Sequence, residues 1–263
     1  MTKDVCTRSI VITGGGDGIG RAVALLCAGR GDRVAILDID KERACKVAAE
    51  AISNGATDSY GIQCDVTCEE QIATAYKTIE REFGAIYGLF ANAAIDLGGM
   101  IHELPADIWR QVIDTNLTGV FLSCKYALRH MLKCRQGGSI VCASSPLGFV
   151  APASGSCGAY SATKGGISAL MRCISVDYAQ HGIRANAIVP GATETRLMWS
   201  NVPPEEVSEL RHTIEKEVPL GRLADPMDHA RAVLWLLSNE SAYVTGSHLV
   251  CDGGILAKAS ITL

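Results

Sequence analysis

Tyr160-Ser161-Ala162-Thr163-Lys164 is the stretch in which residue type and spacing first suggest chemistry. A tyrosine and a lysine four positions apart lie on one face of a helix. A fixed ammonium beside a phenol favours the phenolate. An acid whose ordinary pKa is about 10 then becomes able to move a proton near neutral pH. Gly165 and Gly166 follow, and alanines flank the pair, so a ligand or another segment can come close. Taken alone, the pair also fits a helix with one core aromatic and one solvated lysine. The rest of the chain must therefore supply a partner for the proton.

A second feature offers one. Gly14-Gly15-Gly16-Asp17-Gly18-Ile19-Gly20 follows the apolar run Ser9 to Thr13 and opens a helical pattern over Arg21 to Gly29. Glycines at that junction let a pyrophosphate approach the backbone at a helix N-terminus. The spacing is Gly-x-x-x-Gly-x-Gly through Gly14, Gly18 and Gly20. Asp38 ends the next apolar run, about where an acid would bond the adenosine ribose hydroxyls. A carboxylate there repels a 2′-phosphate, and the first basic residue after the glycine run is Arg21, so NAD is expected over NADP. As a bland alternative, Asp38 would cap the following helix. Asp65 and Asn92 end the third and fourth apolar runs, where each suits either a ligand contact or a turn.

The elements that would position these residues alternate. Strands are expected at Ser9–Thr13, Arg33–Leu37, Tyr60–Cys64, Ala85–Ala91, Ser139–Ala143, Arg184–Val189 and Ser247–Cys251. Helical patterns fill Lys41–Ser53, Glu69–Phe83, Ala106–Lys133 (containing Asn116), a helix carrying Tyr160 to about Gln180, and Pro226–Leu237. This rhythm implies βαβ units and a parallel sheet. Near-continuous apolar strands fit a sheet covered on both faces. The expected fold class is α/β, a three-layer doubly wound parallel sheet of the Rossmann type, spanning 1–263 as a single domain. The stretch Thr193 to Arg222, with Pro203-Pro204 and a charged helix over Glu205 to Glu217, breaks the rhythm and is expected to act as a substrate lid.

Composition excludes several classes. Hydrophobic residues make up 48% and charged residues 20%, enough for a large core, and the net charge of −4 includes no long run. No basic patch suggests nucleic acid and no polybasic segment an anionic membrane. The eleven cysteines are scattered and sit mostly in apolar runs, which fits free thiols in a reducing cytoplasm. The six histidines are dispersed, so no metal site is expected. Met1-Thr2-Lys3-Asp4 has no signal-peptide layout, and no apolar run reaches the roughly 18 residues that span a bilayer.

Together these motifs resemble the short-chain dehydrogenases/reductases over nearly the whole chain. Thr13 to Gly20 is similar to that family's TGxxxGxG loop, and Asn92-Ala93-Ala94 to its NAG element with alanine in place of the last glycine. The resemblance implies a catalytic tetrad of Asn116, Ser145, Tyr160 and Lys164. Tyr160 would be the general acid/base, Lys164 would lower its pKa and bond the nicotinamide ribose, and Ser145 would orient the reacting oxygen. Asn116 would interrupt its helix and hold a water for the proton relay. Ser144 is the rival for the serine role. Contacts to NAD are implied for Gly14, Asp17, Gly18, Ile19, Gly20, Asp38, Ile39, Asp65, Val66, Asn92, Tyr160, Lys164, Thr193 and Thr195. Ser145 and Tyr160 lie further apart than is usual in the family, so Pro146 to Ala159 reads as a lengthened loop over the substrate. A substrate pocket is expected from Asp96, Leu97, Ser145, Leu147, Tyr160, Arg196 and Trp199.

The expected activity is hydride transfer between NAD(H) and a secondary alcohol, ketone or diol of modest size. The alternatives are reduction of an acyl or polyketide intermediate with NAD(P)H, and a dinucleotide-sensing regulator without catalysis. By analogy, the helices around Asn116 to Lys133 and Tyr160 to Gln180, with the last strand, imply a homotetramer.

Overall fold

The computed structural model of the protein describes residues 7–153 and 155–258. The N-terminal residues 1–6, and Ser154 within the expected 146–159 loop, lie outside the described residues. The chain runs β1 (Ser9–Thr13), α1 (Gly18–Ala28), β2 (Arg33–Asp38), α2 (Lys41–Ser53), β3 (Asp58–Gln63), α3 (Glu69–Phe83) and β4 (Gly88–Ala91). Its second half runs α4 (Ala106–Ile113), α5 (Gly119–Cys134), β5 (Gly138–Ala143), α6 (Gly158–Asp177), β6 (Ile183–Pro190), α7 (Val207–Glu217), α8 (Pro226–Leu236) and β7 (His248–Cys251). The seven strands form one parallel sheet in the order β3-β2-β1-β4-β5-β6-β7.

Two apolar cores explain the strand sequences. Val11, Leu89, Ala91, Ile140 and Cys142 face α3, α5 and α6. Their neighbours Ile10, Ile12, Phe90, Val141 and Ala143 face α1, α2 and α8. Alternate residues of one strand thus bury against opposite layers, and such buried polar exceptions as Ser139 and Asn186 are each hydrogen-bonded to a backbone carbonyl. The chain winds outward from β1 to β3, then returns to the far side of β1 as β4. The sheet therefore reverses direction between β1 and β4, and loops leaving those two strands diverge to leave a crevice.

Several boundaries differ from the sequence expectation, four of them with a local cause. α1 begins at Gly18, not Arg21, because the Asp17 carboxylate accepts the Gly18 N–H and caps the helix. β3 starts earlier, at Asp58, and β4 later, at Gly88, since strand ends follow their partners on β2 and β5. The long 106–133 helical stretch is broken by a π turn at Asp114–Thr118, which separates α4 from α5. The 193–222 segment leaves the sheet and returns at one point: Glu194 N–H bonds Ala224 O, and Ala224 N–H bonds Ala192 O. None of the residues of α7, within that segment, is buried.

Candidate active site

The crevice holds a cradle shaped for a dinucleotide. Gly14 and Gly18 have φ of +61° and +52°, values that disfavour other residues. A Cβ on Gly20 would lie 2.2 Å from Gly14 O, so α1 can start this close to β1 only as glycine. Asn92 latches the loop from β4: its amide donates to Thr13 O at 3.2 Å and Gly14 O at 3.0 Å. Above the N-terminus of α1 opens a cleft of about 370 Å³, lined by Asp17, Gly18, Arg21, Thr195, Arg196 and Met227 among others. Oriented N–H groups at a helix start, with close backbone approach, suit a pyrophosphate.

Asp38 closes the β2 side of the cradle. Its carboxylate accepts Gly16 N–H at 2.9 Å and Asp40 N–H at 3.0 Å. Asp40, not Asp38, caps α2 by accepting Arg43 N–H at 3.1 Å. Arg43 was invisible to motif reading, yet α2 brings it beside Gly16 and within 4.0 Å of Asp17. Its guanidinium pairs with Asp40 at 2.7 Å. Ile39 is exposed next to Asp38, whereas Ile19 packs into the core under α1. Asp65 forms a turn, accepting both the N–H and the hydroxyl of Thr67 at 2.9 and 2.8 Å. Val66 is buried against Gly119 of α5.

Tyr160 and Lys164 share a face of α6, with the Lys164 ammonium 5.2 Å from the tyrosine ring centre. The ammonium is buried and donates to Ala143 O at 2.8 Å. The two serines after β5 separate in role. Ser144 turns inward and bonds Lys164 O and Ser168 Oγ, tying α6 to the sheet. Ser145 turns towards the Tyr160 hydroxyl, where its hydroxyl favours the phenolate. The expected lowering of the tyrosine pKa by the lysine does not appear. Tyr160 is half-buried as a residue, but desolvation of its hydroxyl raises its pKa well above the ordinary value, and the Asp96 carboxylate adds to the rise. Burial also pulls Lys164 down to about 8. Desolvation penalises both charged forms, and sequence spacing carries no information about it.

Asn116 sits in the π turn, fully buried. Its amide clamps Ile95 twice, accepting the Ile95 N–H and donating to Ile95 O, each at 2.8 Å. The side-chain amide thus positions the loop that carries Asp96. Asn201 of the 193–222 segment donates to Asp96 O from the other side. Further along, Gly99 N–H bonds Ser156 O at 2.8 Å, joining this loop to the 146–158 loop. Leu147 lines a separate cavity of about 700 Å³ between those loops, together with Ile101, Phe149 and Cys157.

Two expected substrate residues are elsewhere. Arg196 and Trp199 line the cleft over α1, not the Tyr160 side. Trp199 is held there by Glu194, which accepts its indole N–H at 2.8 Å, and by Arg211 stacked 5.4 Å from its ring centre. Thr195 places its methyl against Gly18. Thr193 uses its hydroxyl internally: it donates to Gly191 O at 2.7 Å and meets His229 Nε2 at 2.8 Å. Since that hydroxyl proton goes to Gly191, His229 carries its proton on Nε2 and leaves Nδ1 as an unpartnered buried acceptor. Burial holds His229 neutral, with a pKa of about 4. Nothing in the sequence marked this pair, because the two residues lie on different elements. Among the described residues, no cluster of His, Cys, Asp or Glu could hold a metal ion, and no helix is long and apolar enough to cross a membrane.

A nucleotide cradle beside a serine, tyrosine and lysine defines a nicotinamide-dependent oxidoreductase fold. Comparison with known proteins agrees. The family model described as "Enoyl-(Acyl carrier protein) reductase" matches residues 14–256. The chain is 40% identical to cis-4-hydroxycyclohexanecarboxylate dehydrogenase of Sinomonas cyclohexanicum, over 98% of this chain and 100% of that protein. It is 36% identical to 2,5-dichloro-2,5-cyclohexadiene-1,4-diol dehydrogenase of Sphingobium indicum, over 97% and 99%. The crystal structure of levodione reductase superposes with a TM-score of 0.91 at 30% identity, covering 96% of this chain and 98% of that one. The chain belongs to the short-chain dehydrogenase/reductase family, and is an oxidoreductase of alcohol substrates that uses a nicotinamide dinucleotide.

Proposed function

We propose that the protein is an NAD-dependent dehydrogenase of secondary alcohols, diols included, with Tyr160 as general acid/base. The observation that carries this reading is the convergence of Ser145, Tyr160 and Lys164 beside the glycine cradle. The bound nicotinamide supplies or accepts the hydride. Tyr160 holds the one proton that must move at the substrate oxygen, and Ser145 orients that oxygen. In the resting protein Tyr160 is protonated, so it is ready to give a proton to a carbonyl. Alcohol oxidation requires the phenolate, which rising pH and the Ser145 hydroxyl favour.

Asp38 supports NAD over NADP. Its carboxylate faces the end of β2, and the nearby Arg43 is neutralised by Asp40. A 2′-phosphate would meet an uncompensated negative charge. The 193–222 segment fits a lid, because its ends meet at Ala224 and Asn201 reaches the Asp96 loop. A homotetramer is supported by exposed apolar side chains, Phe121 and Val176 on α5 and α6 and Leu220 and Val250 near β7. Free thiols at the ten described cysteines fit a cytoplasmic protein.

Absorbance at 340 nm during incubation with NAD and a panel of secondary alcohols tests the function. Turnover lost in Tyr160→Phe while NAD binding persists is the expected result. Wild-type protein that binds NAD but oxidises none of the panel, and reduces none of the matching ketones, overturns it.

A further inference from the structure

The Asp96 carboxylate makes no hydrogen bond or ion pair with any described side chain or backbone group, although the loop around it is pinned on three sides. Asn116 clamps Ile95, Asn201 holds the Asp96 carbonyl, and Gly99 bonds Ser156. A Cβ on Gly98 would fall 2.3 Å from Ser156 O, so the two loops touch at glycine. A half-buried carboxylate fixed this firmly, and left without a protein donor, awaits a donor from outside. Gly99 also pairs with Cys157, so this loop runs beside the start of α6, the helix that carries Tyr160, and the Asp96 charge is felt at Tyr160, Lys164 and Cys157.

Among the described residues, Lys164 is the one cation whose field reaches Asp96, and it forms no ion pair with it. Lys164 is buried and bonded to Ala143 O. Arg196 opens onto the cleft over α1, whose lining includes none of Ser145, Tyr160 or Lys164. That cleft is itself of mixed charge, with Arg21 and Arg196 beside Asp17, Glu194 and Asp225, so its arginines are no counter-ions for Asp96.

We propose that Asp96 is a specificity-determining residue that receives the second hydroxyl of a neutral diol and rejects hydroxy acids. This rests on the dehydrogenase reading given above. In the reaction Tyr160 has first lost its proton to solvent; one carbinol then gives its O–H proton to the Tyr160 phenolate and its C–H hydrogen as hydride to the oxidised dinucleotide. The other hydroxyl donates a hydrogen bond to Asp96 and leaves unchanged, so the product is a hydroxyketone. A carboxylate in place of that second hydroxyl would bring two negative charges together with no donor between them. The distinction matters among relatives of nearly equal similarity, one a dehydrogenase of a 1,4-diol and one of a hydroxycyclohexanecarboxylate.

The test compares kcat/KM for cyclohexane-1,4-diol, cyclohexanol and 4-hydroxycyclohexanecarboxylate in the wild type, Asp96→Asn and Asp96→Ala. A hydrogen bond to a charged acceptor should favour the diol over the monoalcohol by about tenfold or more in the wild type. Asp96→Asn should narrow that ratio and raise the hydroxy acid relative to the diol by about tenfold, and Asp96→Ala should do the same if the asparagine variant folds poorly. NAD dissociation constants, read by fluorescence titration, should stay within about twofold, since Asp96 lies outside the cradle; a larger change would mean that the variants disturb the cofactor site and would overturn the assignment. Turnover with the hydroxy acid preferred in the wild type, or ratios unmoved in both variants, overturns the proposal alone. Absence of turnover with all three substrates while other alcohols of the panel are oxidised overturns this proposal alone; absence with the whole panel and the matching ketones overturns the dehydrogenase reading with it.

Discussion

Replacing Lys164 with methionine should expose a conflict between stability and catalysis at one atom. Lys164 is buried, and desolvation lowers its pKa from 10.5 to about 8. The unfolded chain therefore binds one more proton than the folded one between those two values. Stability rises with pH wherever the unfolded state holds more protons. The ammonium's burial penalty is thus fully present below pH 8 and relieved by pH 10.5. At 1.36 kcal/mol per pKa unit, the full penalty is about 3 kcal/mol. Methionine fills the same channel without charge. It also forfeits the bond to Ala143 O, leaving a buried carbonyl unpaired at a cost of about 1–3 kcal/mol. At neutral pH the two effects nearly cancel, so Lys164→Met should fold as stably as the wild type while losing turnover. Urea unfolding of both proteins across the window is the assay. The wild type alone will not show the effect cleanly, because Cys27 and Cys64, pushed up to about 12 by burial, lose stability as pH rises above the ordinary thiol range. Those groups are common to both proteins and drop out of the difference. Wild type minus variant should climb by about 3 kcal/mol from pH 8 to 10.5. A flat difference would refute the desolvated-ammonium account.

Further outcomes follow from the loops. Asn116→Ala removes two hydrogen bonds and orphans both polar groups of Ile95, which should destabilise the protein by about 2–4 kcal/mol. Turnover should fall more than NAD affinity, because the loop released carries Asp96; denaturant unfolding that shows no loss would mean the clamp does not form. Asp38→Ala should shift the ratio of kcat/KM for NAD to that for NADP by about tenfold towards NADP, since one charge repulsion is removed. A wild type that already prefers NADP would contradict the part given to Asp38.

Much of this architecture was legible before any coordinates. The central strands were legible because a parallel sheet buried on both faces requires near-continuous apolar runs; the bounds of β4 and of the edge strand β3, which is polar and only half-buried, were not. The glycine loop, Asp38, Asn116, Ser145, Tyr160 and Lys164 could be ordered along the chain because each falls at the end of a strand or within a helix next to one. What each of them does there was less legible. The bonds of Asn92 to the glycine loop and of Asn116 to Ile95 were not legible, because their partners lie at no fixed sequence offset, whereas the Asp65 turn to Thr67 is local.

The tertiary structure alone decided the rest, for one physical reason: desolvation and cross-element contact depend on what lies nearby in space. The Tyr160–Lys164 spacing established a shared helix face, but burial reversed the expected direction of the tyrosine shift. Arg43 reached the glycine loop only through the packing of α2 on the sheet. Arg196 and Trp199 moved from the substrate side to the nucleotide side because the 193–222 segment folds back to Ala224. The Thr193–His229 pair and the unpartnered carboxylate of Asp96 exist only where distant elements meet. The sequence determined the class of chemistry, whereas the charge distribution around Tyr160, and so the choice of substrate, belongs to the folded chain.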